Sequence, residues 1–107
     1  MRIDICVGGE MKRKRILLHE LAHAWLSVHL GPDEGDAFVT RLGLQGWSGR
    51  HIEREFQGIE HAAEIMAWGL DERCVPSTWL ASNYHDAERG DEFERLTHQA
   101  PPCTPRP

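Results

Sequence analysis

The chain contains few cysteines for a protein of its size. Three occur among the 107 residues, at Cys6, Cys74 and Cys103, and no two have the C-x-x-C spacing. This distribution excludes a thiolate zinc knuckle and gives no disulfide framework. We therefore expect free thiols, as in a cytoplasmic protein, while a bridge between Cys74 and Cys103 stays open because spacing does not fix distance in space.

The sequence also lacks a long apolar run. No window approaches the roughly eighteen apolar residues that a membrane-spanning helix needs. The N-terminal stretch MRIDICVGGEMKRKR has no apolar segment after its positive charge, as a secretory leader would have. We expect neither a membrane partner nor an export signal.

Positive charge is scarce. Twelve Lys and Arg face 17 Asp and Glu, which gives a formal net charge of -5. The one basic run, KRKR at 12–15, is offset by acidic segments at 33–36 and 86–94, so nucleic acid is not an expected partner. We expect this run to be a solvated loop before a helix, because positive charge is unfavourable at a helix N-terminus. Recruitment of an acidic partner is the alternative.

The composition that remains is globular. The chain is 40% hydrophobic and 27% charged, with four Trp and three Phe, which predicts one folded domain with a single core. We place this domain at 1–97. The tail at 98–107 is rich in proline and is expected to be extended and poorly held.

Hydrophobic periodicity predicts an α+β fold that is mainly α. Residues 2–7, RIDICV, alternate as a short strand does. Residues 15–30 are apolar around most of a helix, which we expect to cross the middle of the domain. Further helices are predicted at 33–42, 59–70 and 86–97, the second with one apolar face.

The motif with the most chemistry is H-E-L-A-H at 19–23. His19 and His23 are four residues apart, so their imidazoles project from one helix face at the spacing that lets two nitrogens reach one zinc ion. Glu20 lies about 100° around the helix, beside the ligands, where a general base would stand. Two core histidines bonded to backbone carbonyls are the alternative. A buried carboxylate in the same helix is costly without a cation, which favours a metal site.

A catalytic zinc ion usually has three protein ligands and one open position. Glu60 and Glu64 are four residues apart in the helix predicted at 59–70, next to small alanines that would let it approach the first helix. Taken alone, such a pair is more often two solvated glutamates on an amphipathic helix.

HELAHAW, with 36 residues between His23 and the start of EHAAEIMAW, resembles the zincin metallopeptidases of the gluzincin type. In several of those families the first glutamate of an E-x-x-A-E pattern completes a His, His, Glu site. The resemblance covers residues 3 to about 70. It implies Glu60 as third ligand, Glu64 as a residue that orients a ligand histidine, one Zn²⁺ ion, and a minimal domain similar to the small minigluzincins.

The sequence lacks the ligand patterns of two other families that share H-E-x-x-H. No third histidine completes the metzincin pattern, and Cys6 in IDICVGG does not match the cysteine ligand of peptide deformylases. Gluzincins commonly supply a Tyr or His that stabilises the oxyanion. Tyr84, the only tyrosine, is the candidate we name for this role, with His51 and His61 as the other options.

The resemblance implies a zinc-dependent peptidase that acts on a peptide or protein substrate, with Glu20 taking the proton of a metal-activated water. A non-catalytic module in which zinc clamps two helices is the alternative, and a hydrolase of a non-peptide amide is a third reading. Structural zinc usually fills all four positions with protein ligands, often Cys, which favours catalysis here.

Overall fold

The computed structural model describes residues 9–71 and 84–103. Within them a 3-10 helix at Arg54–Phe56 precedes the third α-helix, and a single β-bridge pairs Gly46 with Gln57. The mainly helical expectation is confirmed, whereas the described ranges contain no sheet and the strand expected at 2–7 lies outside them. The α-helices of the described chain are α1 (Gly9–His29), α2 (Pro32–Leu42), α3 (Gly58–Leu70) and α4 (Asp86–Thr97).

The first helix begins earlier than its apolar pattern predicts. α1 starts at Gly9 rather than at residue 15, so the basic run at 12–15 is helical and the expectation of a loop there is wrong. Lys, Arg, Met and Glu are good helix formers, and the unfavourable dipole interaction is only about 0.3–1 kcal/mol per charge at an exposed end. The C-terminal end agrees with the sequence, because Gly31 and Pro32 do not continue a helix.

The second and fourth helices follow their predicted ranges because their ends are encoded locally. Pro32 occupies the first turn of α2, where its missing N–H is not needed. Glu34 Oε1 accepts the N–H of Gly31 at 3.1 Å, and Glu88 Oε1 accepts the N–H of His85 at 3.1 Å before α4. Each contact satisfies a backbone donor at a helix start.

α3, not α1, is the central helix of the described structure. Every residue from 61 to 69 is buried, so the expectation of one buried face is wrong for α3. α1 buries Ala22 and Leu26 against it but leaves Leu17, Leu21 and Val28 exposed by 48%, 52% and 76%. The apolar pattern of α1 continues around the helix, whereas α3 covers only one of its sides.

The remaining helices close over this α1–α3 pair. Phe38 from α2 is fully buried, and Trp47, from the loop after α2, packs edge-on against it with ring centroids 6.0 Å apart. Arg41 of α2 donates from Nε to Oε2 of Glu92 in α4 at 2.9 Å, and from Nη2 to Oε1 of the same carboxylate at 2.5 Å. This bidentate pair is the geometry in which arginine binds carboxylates most firmly.

The described part of the predicted tail, residues 98–103, is held to the domain at Cys103, which differs from the expectation of a poorly held tail; residues 104–107 lie outside the described ranges. Cys103 donates its backbone N–H to the carbonyl of Gly69 at 3.1 Å and is buried beside Trp68. Cys103 is disulfide-bonded, so the free-thiol expectation is wrong for it; the other two cysteines lie outside the described residues. Disulfides are typical of oxidising compartments. The cytoplasmic expectation therefore loses its cysteine argument and stays a prediction.

Apolar surface remains on the side of α1 that faces away from the metal-ligand histidine pair expected from the sequence. A groove of about 400 Å³ is lined by Leu21, Trp25, Met66, Leu70 and Pro102, among others. This surface is not a membrane span, since each helix in the described ranges is too short or too polar to cross a bilayer.

Two helical glycines should respond oppositely to the same substitution. A Cβ at Gly69 would overlap the ring of Phe93, whereas a Cβ at Gly90 meets open space. We expect Gly69→Ala to lower the free energy of unfolding by about 1–3 kcal/mol through overpacking. Gly90→Ala should raise it by about 0.5–1 kcal/mol through helix propensity. Urea unfolding of both variants checks this, and equal effects would contradict the close α3–α4 contact.

Candidate metal centre

The helix α1 brings the two histidines of H-E-L-A-H together. Their Nε2 atoms lie 2.9 Å apart, and the rings meet edge to face with centroids 4.5 Å apart. This follows from helix geometry, because residues four apart stand one turn above each other on the same face. His19 is 12% exposed and His23 26% exposed at the side chain, so the pair sits at the rim of the core.

The packing of α3 on α1 adds a carboxylate to this pair. Glu60 Oε2 lies 2.9 Å from His23 Nε2 and 3.4 Å from His19 Nε2. The neighbouring Ala62 and Ala63 are fully buried, and their small side chains allow the two helices to approach closely. Two imidazole nitrogens and one carboxylate oxygen therefore converge from two helices, within 4.8 Å of one another.

The spacing of these three atoms fits a zinc ion. Ligand atoms that sit about 2.0–2.1 Å from a tetrahedral zinc are separated by about 3.3 Å from each other. The observed separations are 2.9, 2.9 and 3.4 Å. The donor set of two imidazoles and a carboxylate also belongs to catalytic zinc sites with three protein ligands. His19, His23 and Glu60 can hold such an ion with small adjustments.

Glu64 supports one of the two histidines from behind. Its Oε1 lies 2.6 Å from His19 Nδ1, and its side chain is 1% exposed. A proton held on Nδ1 leaves the Nε2 lone pair directed at the convergence point. Burial lowers the pKa of His19, but the contact with Glu64 and the charges of Glu64 and Glu60 outweigh it and raise the pKa above its ordinary 6.5.

A cation that no sequence motif indicates lies beside the candidate ligand carboxylate. Arg54 Nε is 3.2 Å from Oε1 of Glu60, the oxygen turned away from His23. The arginine belongs to the 3-10 helix just before α3. An Arg six residues before a Glu gives no periodic signal, so only the fold of the 49–57 loop could reveal the pair.

Glu20 is half-buried on α1, about 100° around the helix from His19. In the described part of the chain it has no hydrogen bond or ion pair with any other residue. A carboxylate next to a candidate metal ligand, with no partner among the described residues, is available to accept a proton from water.

The three oxyanion candidates are placed differently. His61 donates from Nε2 to the carbonyl of Glu55 at 2.7 Å, so its Nδ1 is the acceptor for the Tyr84 hydroxyl, also at 2.7 Å. Both polar groups are engaged with each other, and His51 is exposed on the loop before the 3-10 helix. Contact with a substrate would require the Tyr84–His61 bond to open, and the catalytic role of Tyr84 stays a prediction.

Tyr84 should titrate well above an ordinary tyrosine. Burial, together with the negative charges of Glu92 and Glu88, raises its pKa to about 12, because all three disfavour the phenolate. Stability that depends on the neutral phenol is complete below the ordinary value of 10 and is lost as pH rises toward 12. Since Tyr84 is the only tyrosine, phenolate absorbance follows it directly. Tyr84→Phe is the matched control, and a midpoint near 10 in the folded protein would contradict the buried contact.

Comparison with known proteins finds no match to this chain. The chain matches no family model, no curated protein and no solved structure. The resemblance to gluzincins therefore stays a prediction from the H-E-L-A-H and E-H-A-A-E motifs.

Proposed function

We propose that this protein is a zinc-dependent peptidase. The observation that carries the proposal is the convergence of His19 Nε2, His23 Nε2 and Glu60 Oε2 within 4.8 Å of one another. Zinc held by these atoms would polarise a peptide carbonyl and lower the pKa of a water molecule.

In the proposed reaction, Glu20 transfers the proton and Glu64 orients a ligand histidine. Glu20 takes one proton from the attacking water and delivers it to the leaving amine nitrogen. The hydroxyl adds to the carbonyl carbon as the C–N bond breaks, so the products are a carboxylic acid and an amine. Glu64 holds His19 through Nδ1, which keeps the ligand nitrogen in its orientation.

Two features favour catalysis over a zinc that only clamps α1 to α3. The cluster within the described residues offers three ligands, whereas structural zinc usually has four. Glu20, one residue from His19, also has no hydrogen bond or ion pair with any described residue, so its carboxylate is not committed to a structural contact. Both features suit a site with an open coordination position and a base next to it.

The test begins with metal content. Purified protein is reconstituted with zinc, dialysed, and analysed for metal by mass spectrometry, and the zinc-loaded form is incubated with a randomised peptide library. We expect one zinc ion per chain, and cleavage that a chelator abolishes and added zinc restores.

The controls separate binding from turnover. The double variant His19→Ala/His23→Ala should bind no zinc at the site and cleave nothing. Stoichiometric zinc in the wild type without cleavage across a wide library would favour the non-catalytic module. Zinc that remains in the double variant would contradict the site itself.

A further inference from the structure

The Arg54 guanidinium uses only its Nε in its contact with the candidate metal centre. Its Nε contacts Glu60 Oε1 at 3.2 Å, and the side chain is 65% exposed. Glu60 is its one partner within the described chain. The two terminal nitrogens have no hydrogen bond or ion pair with any residue of the described chain, and the exposure of the side chain leaves them available to a ligand. A guanidinium fork of this kind binds carboxylates in a bidentate manner.

The backbone that carries Arg54 is firmly held. Glu55 accepts the Nε2 proton of His61 at 2.7 Å, and the Gln57 side chain donates to the carbonyl of Ile52 at 2.7 Å. The N–H of Gly58 donates to the carbonyl of Gly46 at 2.7 Å. These bonds tie the 3-10 helix to α3 and to the loop after α2, so Arg54 projects from a fixed base.

Arg54 carries a positive charge at a site that is otherwise rich in carboxylates. Glu20, Glu60 and Glu64 lie on α1 and α3 at the site, and an anionic group of a substrate would be repelled by them. The contact with Glu60 places the Arg54 Nε within about 7.5 Å of an ion bound at ligand distances of 2.0–2.2 Å. When the scissile carbonyl occupies the open position of the zinc ion, Arg54 would offer a nearby substrate anion a second cationic partner.

We propose that Arg54 binds the C-terminal carboxylate of a peptide substrate, so that the enzyme removes the last residue of a chain. This inference rests on the proposed peptidase function. One residue of extended chain spans about 3.3–3.6 Å, so a carboxylate one residue beyond the scissile carbonyl comes within reach of the exposed terminal nitrogens. Arg54 then selects the substrate, and hydrolysis proceeds as proposed above.

The experiment compares two short randomised peptide libraries that differ only at the C-terminus, one a free acid and the other an amide. We expect the zinc-loaded wild type to cleave the acid library about 10- to 100-fold better in kcat/KM, the effect of one charge-assisted contact. Arg54→Ala should remove this preference, chiefly through a higher KM for the acid. Arg54→Lys, which keeps charge without the fork, should fall between.

Arg50→Ala is the matched control. Arg50 is exposed in the same loop and has no hydrogen bond or ion pair within the described residues, so its loss should leave the preference intact. A second readout avoids turnover: calorimetric binding of an acid peptide and its amide to zinc-loaded Glu20→Gln protein. The acid should bind about 10-fold or more tightly, and adding Arg54→Ala should equalise the two.

Each outcome has a separate meaning. Equal losses of cleavage for acid and amide in Arg54→Ala would overturn the proposal and assign Arg54 to the reacting centre. Loss of zinc in Arg54→Ala would overturn it as well, leaving Arg54 as a residue that positions Glu60. A wild type that holds zinc and cleaves neither library contradicts the peptidase function, whereas cleavage of both at equal rates contradicts only the recognition by Arg54.

Discussion

Glu20→Gln should abolish peptide hydrolysis and leave the zinc content unchanged. Glutamine has nearly the same shape as glutamate but cannot accept the proton of water, so the general base is lost while the ligands stay in place. General acid–base groups of this kind contribute about 10²- to 10⁴-fold to a rate. The free Glu20 carboxylate has no structural partner among the described residues, so its replacement should not lower the stability of the fold.

The measurement is kcat/KM on a peptide cleaved by the wild type, together with metal analysis of both proteins. Glu94→Gln is a suitable control, because Glu94 is exposed on α4. This substitution removes the same charge at a position away from the site. Activity of Glu20→Gln within a few-fold of the wild type would remove Glu20 from the mechanism. Loss of zinc in that variant would instead show that Glu20 acts as a ligand.

His23→Ala should lose zinc and, with it, the stabilisation that zinc gives to the folded protein. A ligand that binds only the native state at a thousandfold excess over its Kd stabilises by about 4 kcal/mol. We therefore expect the Tm of the wild type to rise with added zinc and fall with a chelator. The Tm of His23→Ala should respond to neither, because two of three ligands do not hold the ion firmly.

His51→Ala is the matched control, since His51 is exposed and lies outside the cluster; it should keep the full response to zinc. The two carboxylates are separated in the same assay. Glu60→Ala should lose the response, whereas Glu64→Ala should weaken zinc binding by about 10- to 100-fold, as loss of a residue behind a ligand does. Zinc that survives Glu60→Ala but not Glu64→Ala would show that the ligand is Glu64.

The pH dependence of stability should reverse between the zinc-free and zinc-bound forms. Without zinc, the raised pKa of His19 means that the pair with Glu64 stabilises the fold below the ordinary value of 6.5, and this stability is lost as pH rises through the raised pKa. Zinc requires neutral histidines, so its contribution appears as pH rises through the same range. Thermal unfolding across this range, with and without zinc, checks both directions.

The sequence alone determined the bounds of α2 and α4 and the local part of the site. The caps around Gly31 and His85 are local, as is the four-residue spacing that places His19 and His23 on one helix face, so each follows from neighbouring residues. Such features need no knowledge of what the helix packs against.

The tertiary structure decided everything that depends on contacts between distant segments. The apolar pattern of α1 could not say which side α3 covers, and so it wrongly placed α1 at the centre. No periodic pattern in the sequence indicates three of the observed contacts: Arg54 with Glu60, Tyr84 with His61, and Cys103 with Trp68. Each is fixed by how helices and loops pack, because packing joins residues whose separation along the chain carries no information about their distance in space.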